Sequence, residues 1–292
     1  METLSAADGL SLAVERHPVA DCRGRVVIVH GYAEHKGRYR KLISELTGSG
    51  YECHLFDLRG HGASGGRRGH VARFGEYRED LHLVARAAGA NRPPGVPLLL
   101  LGHSLGGLVS LDYVLHHPET FSALAVSSPF LAPAFAIPPL KKTLGTLAAH
   151  ILPTLAVPSG LEAAWLSHDP EVVRAYTQDP LVFPTTTVGW FREVEAAQEE
   201  VFARAPEIRL PALFLVGGSD PIAAPPRARA LFARLGSADK RLVVYDGLFH
   251  EVFNELERAR VVADLLAWLA ERTPPRSGAG FVSAYPLPPA RS

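Results

Sequence analysis

Residues 98–108 read Leu-Leu-Leu-Leu-Gly-His-Ser-Leu-Gly-Gly-Leu, and no other stretch limits the fold as tightly. Four consecutive leucines fit a strand buried on both faces. Leu108, Leu111 and Leu115 then follow at helical spacing. Between strand and helix the chain must turn sharply at Ser104, with glycines at 102, 106 and 107 where side chains would collide. A strand–turn–helix of this form lifts a serine hydroxyl to the edge of a sheet. It also aims the free N–H groups and positive end of the helix at whatever the serine attacks. Ser104 is therefore the candidate nucleophile, and the backbone N–H of Leu105 a candidate donor to a developing oxyanion.

The same rhythm of apolar run and helical stripe continues along the chain. Short apolar runs occur at Val26–Val29, Cys53–Phe56, Leu124–Val126, Leu213–Val216 and Leu242–Tyr245. Phe74, Tyr77, Leu81, Val84 and Ala88 share one helical face, as do Val261, Val262, Leu265, Leu266 and Leu269. Alternation of this kind predicts an α/β fold with a mostly parallel sheet covered by helices on both faces. Asp8-Gly9, between two short alternating segments, predicts the turn of a β-hairpin.

The rhythm fails from about Pro129 to Leu210, although a crossover between parallel strands needs only about a dozen residues. Leu140, Leu144, Leu147 and Ile151 form a helical stripe there. The pattern predicts a helical cap at 129–210, inserted between two halves of a core at 1–128 and 211–272. The stripe is expected to pack the cap onto the core. With Leu152, Leu155, Val157 and Trp165 it would roof a pocket suited to a hydrocarbon chain. From Thr273 the chain is rich in Pro, Gly, Ser and Ala, which predicts a loose tail over 273–292. No internal repeat is visible.

A lone serine is a poor nucleophile and needs a base, which in turn needs an orienting carboxylate. In this kind of fold the chain order is serine, acid, histidine. The run Leu213–Val216 ends in Gly217-Gly218-Ser219-Asp220-Pro221, and Leu242–Tyr245 ends in Asp246-Gly247-Leu248-Phe249-His250. Both loops follow strand C-termini, where open α/β sheets carry their sites. Asp220 is preferred as the acid over Asp246, which would have to double back across its own loop. Of the 13 histidines, His250 alone stands where the base belongs. His103 adjoins the nucleophile, but a tight turn is expected to aim neighbouring side chains apart. His116 and His117 suit a helix C-terminus. His61, His70 and His82 read as surface or loop-packing residues. A second oxyanion donor is expected from the loop His30-Gly31-Tyr32-Ala33-Glu34-His35, with the N–H of Tyr32 as the candidate.

Composition narrows the partners. The 30 Lys and Arg residues balance 30 Asp and Glu, so no charge excess draws the chain to nucleic acid or an anionic membrane. Cys22 and Cys53 are too few for a disulfide framework and lack metal-ligand spacing, which fits buried thiols. No cofactor or metal is expected: neither a ligand cluster nor a nucleotide-binding loop is present. The N-terminal segment lacks a basic start and an apolar run, and no stretch approaches the ~20 residues that cross a bilayer. The expectation is a soluble, cytoplasmic protein, with transient membrane or micelle contact through the cap left open. The oligomeric state is not legible.

With these motifs in order, the chain resembles the monoacylglycerol lipase and lysophospholipase branch of the α/β-hydrolases over about Leu10 to Trp268. The branch's H-G-x-x-E-H-x-x-R-Y segment is matched by His30, Gly31, Glu34, His35, Arg38 and Tyr39. Its D-x-x-G-H-G-x-S-x-G segment is matched by Asp57, Gly60, His61, Gly62, Ser64 and Gly66. The elbow G-H-S-x-G-G falls at 102–107. In the cap, Leu166, Ser167, Tyr176, Asp179, Pro180 and Leu181 match, and His250, Glu251, Asn254 and Glu255 match H-E-x-x-N-E. The resemblance implies an eight-stranded, mostly parallel sheet with an inserted helical cap, and a serine hydrolase of lipid-like carboxylic esters. It implies Ser104, Asp220 and His250 as triad, Tyr32 and Leu105 as N–H donors, and Glu34 and Arg38 near the alcohol end of the pocket. Tyr32 stands where relatives also carry small residues, and its bulk is expected to narrow the acyl pocket. Related chains that open epoxides or remove halide carry Asp at the elbow, where this one has Ser104. An acyltransferase, or a serine aminopeptidase-like hydrolase, would use the same triad. A non-catalytic binding protein would not need it.

Overall fold

The computed structural model describes residues 2–136 and 139–275, with side chains in 139–146 described only at Thr143 and Gly145. The predicted tail therefore lies outside the described residues from 276 onward. β1 (Glu2–Ser5) and β2 (Ser11–His17) form the predicted hairpin, with Gly9 at φ 82° in its turn. Then follow β3 (Gly24–Val29), α1 (Arg40–Gly48), β4 (Tyr51–Phe56), α2 (Gly75–Gly89), β5 (Leu98–His103), α3 (Leu105–His116) and β6 (Ala123–Ser127). After β6 come α4 (Pro139–Ile151), β7 (Ala156–Pro158), α5 (Pro170–Gln178), β8 (Thr185–Thr187) and α6 (Val188–Arg204). The chain ends with β9 (Ala212–Gly217), α7 (Pro225–Arg234), β10 (Lys240–Tyr245) and α8 (Arg258–Ala270).

Eight strands make one sheet in the order β1-β2-β4-β3-β5-β6-β9-β10. Only β2 runs against its neighbours, and every pair from β4 to β10 is parallel. The central strands β3, β5, β6 and β9 are buried at every residue, which is why their sequences show unbroken apolar runs rather than alternation. Residues of β5 divide between two cores. Leu98 and Leu100 join Val84, Leu108 and Trp190 on one face, while Leu99 and Leu101 join Leu46, Val261 and Trp268 on the other. Cys53 is buried as expected, but Cys22, in the turn before β3, is only half-buried.

The 129–210 stretch adds no strand to the large sheet. It does contain a small antiparallel pair, β7 with β8, that the sequence does not announce. Its last helix, α6, sets Trp190, Val194 and Val201 into the same core as α2 and α3. The predicted stripe lies on α4, but Leu147 and Ile151 face solvent at 59% and 69% exposure, as do Leu152 and Leu155 beyond it. The expectation that these side chains pack the cap onto the core is therefore corrected. The side chains of Leu140 and Leu144 lie outside the described residues. Trp165 does turn inward, against Leu166, Tyr176 and Ile222.

Candidate active site

Ser104 sits between β5 and α3 with φ 53° and ψ −118°, a conformation that L-residues rarely hold. The surrounding glycines are required by contact. A Cβ on Gly102 would lie 2.4 Å from the Gly106 carbonyl oxygen, and one on Gly106 only 2.2 Å from that of Val29. The turn is closed by Ser104 N–H donating to Ser127 O at 3.0 Å, while Ser104 O accepts from Leu108 and Phe130.

β9 and β10 are paired in parallel, so the loops at their C-terminal ends lie side by side next to this elbow. Nδ1 of His250 lies 2.7 Å from Oδ2 of Asp220. A carboxylate only accepts, so Nδ1 carries the proton and Nε2 is left as the basic nitrogen. The other carboxylate oxygen accepts from Ile222 and Ala223 N–H at 2.8 and 3.0 Å, fixing the aspartate. Asp246, by contrast, is exposed. Neither Ser104 Oγ nor His250 Nε2 has a hydrogen-bond partner among the described residues, so both are free to meet a reacting group. Burial disfavours a charged His250, but the Asp220 carboxylate outweighs it and raises the imidazole pKa above the ordinary 6.5. A base must be neutral to take a proton. Ester turnover is thus expected to fall as pH drops through this raised value, with the acid limb above pH 6.5. A kcat/KM profile on a neutral short-chain ester checks it, and a limb below that value would contradict the pairing.

His103 departs from expectation. Its ring centroid lies 4.9 Å from that of His250, and its Nδ1 is 2.9 Å from Ser127 Oγ. Burial, with the neighbouring His250, depresses its pKa to about 4. Neutral at working pH, it adds no positive charge beside the base. His61 is not at the surface but fully buried beneath the 30–35 loop, against His30, Tyr32 and Phe183.

That loop leaves β3 at His30 and passes so close to the nucleophile that a Cβ on Gly31 would be 3.1 Å from Ser104 Cβ. The N–H groups of Tyr32 and Leu105 make no hydrogen bond among the described residues. Gly31 N–H and Tyr39 O–H instead donate to Glu34 Oε1 at 2.5 and 2.8 Å. Arg38 joins Glu34 at 3.0 Å and Glu251 at 2.5 Å. Burial alone would raise the Glu34 pKa, but the Arg38 guanidinium holds it below the usual carboxylate range. Sequence reasoning missed Glu251 as the second carboxylate on Arg38, although it adjoins His250. Glu34, Arg38, His103 and Glu251 border a cavity of about 10 Å³, room for one water-sized group.

The motif residues of the 129–210 stretch meet the rest of the chain at these same loops. Tyr32 O–H donates to the Thr185 carbonyl at 2.7 Å, and His35 Nε2 lies 2.8 Å from Asp179. The Arg38 guanidinium stands over the Tyr176 ring at 4.8 Å. Ser167 Oγ donates to Asn254 O at 3.0 Å, and His168 Nδ1 lies 2.8 Å from Glu255. Among the described residues no three His, Cys, Asp or Glu side chains are gathered to hold a metal. No helix among them is long and apolar enough to cross a membrane.

Comparison with known proteins places the chain in a family. The family described as serine aminopeptidase, S33 matches residues 20–257. A protein of Mycolicibacterium smegmatis named monoacylglycerol lipase is 36% identical over 253 residues, which are 86% of this chain and 90% of its own. Phospholipase YtpA of Bacillus subtilis is 31% identical over 238 residues, 81% of this chain and 91% of its own. Among solved structures, the monoacylglycerol lipase of Paleococcus ferrophilus superposes with a TM-score of 0.82 at 33% identity, over 89% of this chain and 98% of that one.

Proposed function

Because the chain belongs to the serine aminopeptidase S33 family of α/β-hydrolases, we propose that it is a serine hydrolase of lipid-like carboxylic esters, of monoacylglycerol or lysophospholipid type. The observation that carries this is the oriented Asp220–His250 pair beside a serine in a strained elbow flanked by two unused N–H groups. In the proposed cycle His250 Nε2 takes the Ser104 proton as Oγ attacks the ester carbonyl. The Tyr32 and Leu105 N–H groups receive the developing oxyanion. His250 then gives the proton to the departing alcohol, leaving an acyl-serine. Water attacks that ester with His250 again as base, releasing the fatty acid and restoring Ser104. Glu34 and Arg38 are assigned to the alcohol side, where their ion pair borders the small cavity by His103. For the chain's division we propose a core at 1–128 and 211–272, with a cap at 129–210 whose α6 also serves as a crossover helix on the core. The names of the relatives point to an ester rather than a peptide as substrate.

The solvent-facing leucines and isoleucine at 147, 151, 152 and 155 form an apolar patch on the cap. Such a patch suits transient contact with a lipid surface that delivers substrate. Each methylene buried is worth about 0.8 kcal/mol. Four more should raise kcat/KM by roughly two hundred-fold from butyrate to octanoate esters of one alcohol, measured below micelle formation. A profile peaking at acetate would replace the lipid-ester reading with a small-ester hydrolase. Paired Leu147→Asp and Ile151→Asp changes should spare these monomeric esters and slow turnover of the same acyl group presented in vesicles.

A further inference from the structure

The loop proposed to carry one oxyanion donor is gripped by the cap at three successive points. Tyr32 O–H reaches Thr185, His35 reaches Asp179, and Arg38 stacks on Tyr176. The Tyr32 ring is wedged between cap and core, 4.3 Å from Trp190 and 5.5 Å from both Phe183 and His61. From below, Glu34 holds the neighbouring Gly31 N–H. The Tyr32 peptide is thus suspended between a core carboxylate and a cap carbonyl. Ser104, His250 and Asp220 are only 6%, 3% and 4% exposed, so an oxyanion formed there would rely on these fixed donors rather than on bulk water.

We propose that Tyr32 is a positioning residue whose hydroxyl, held by the cap carbonyl of Thr185, aims its own backbone N–H at the oxyanion. The seating of the cap then determines whether the oxyanion hole is complete, and the ring is more than a wall of the acyl pocket. Geometry favours this coupling because a side chain fixed at its far end leaves the peptide at its near end little freedom to rotate. An oxyanion donor acts only when aimed at the oxygen.

The inference rests on the ester-hydrolase reading above, and its test separates the two. Tyr32→Phe keeps the ring and removes the tether. Asp179→Ala removes the neighbouring tether from the cap side, without a change in the loop itself. Removing an oxyanion donor outright costs about a hundred- to a thousandfold in kcat. A misaimed one should cost about tenfold, with KM within roughly twofold. The loss should be equal for acetate, butyrate and octanoate esters. Affinity for an alkyl boronic acid, which mimics the tetrahedral oxyanion, should fall in the same proportion as kcat/KM, and the acid limb of His250 should stay where it is. Unchanged acetate turnover in both variants, or a loss confined to long acyl chains, would overturn the positioning role and leave Tyr32 as pocket wall. If Tyr32→Phe does not fold, Asp179→Ala decides alone. No ester turnover in the unsubstituted protein would overturn the ester-hydrolase reading and this inference together.

Discussion

Ser104→Ala is expected to fold as the unsubstituted protein does and to lose ester turnover by on the order of a million-fold. The change removes one oxygen from a turn whose shape is set by glycine contacts and by backbone hydrogen bonds to Ser127, Leu108 and Phe130. Nothing else in the site is proposed to attack a carbonyl. The oxyanion donors and His250 would remain, so a weak water-driven background should persist. A fluorophosphonate probe should label the unsubstituted protein at Ser104 and leave the variant untouched. Labelling of the variant at another serine would remove Ser104 from the role.

Asp220→Asn should cost about ten thousand-fold, with Asp246→Asn within about twofold of the unsubstituted protein. The amide cannot accept from Nδ1 while its NH2 faces the ring, so the imidazole turns to the wrong tautomer and the imidazolium loses its counter-charge. The Asp220 carboxylate also holds the Ile222 and Ala223 N–H groups, which an amide oxygen can still accept, so the loop should keep its form. Asp246 is exposed. Steady-state rates on one short-chain ester distinguish the two, and an inactive Asp246→Asn beside an active Asp220→Asn would reverse the assignment.

Ser104, Asp220 and His250 are legible in sequence because each follows an unbroken apolar run and is marked by nearby glycine. Strand, loop and register are local signals, and three such signals in order mark out the candidate site's ingredients. The contacts that hold those ingredients are not local. Tyr32 and Thr185 are 153 positions apart, and Arg38 and Glu251 are 213 apart, so no periodicity links them. A stripe such as Leu147 and Ile151 tells that a helix is two-faced but not which face meets the core. Strands of three residues, as in β7 and β8, are too short for alternation to show. His103 escaped the simple view of a turn because its ring folds back over β6 to Ser127 rather than away from it.

The 129–210 stretch also bears on the order in which the sheet can be completed. β6 pairs on its far side with β9, but 84 residues, 128 to 211, intervene. At ordinary translation rates that delay is on the order of ten seconds. A sheet of β1 to β6 formed in that interval would leave β6 with one open edge, the form of strand most prone to pair with a stranger. The Asp220–His250 pair lies beyond that point, so the proposed nucleophile is synthesised well before its proposed base.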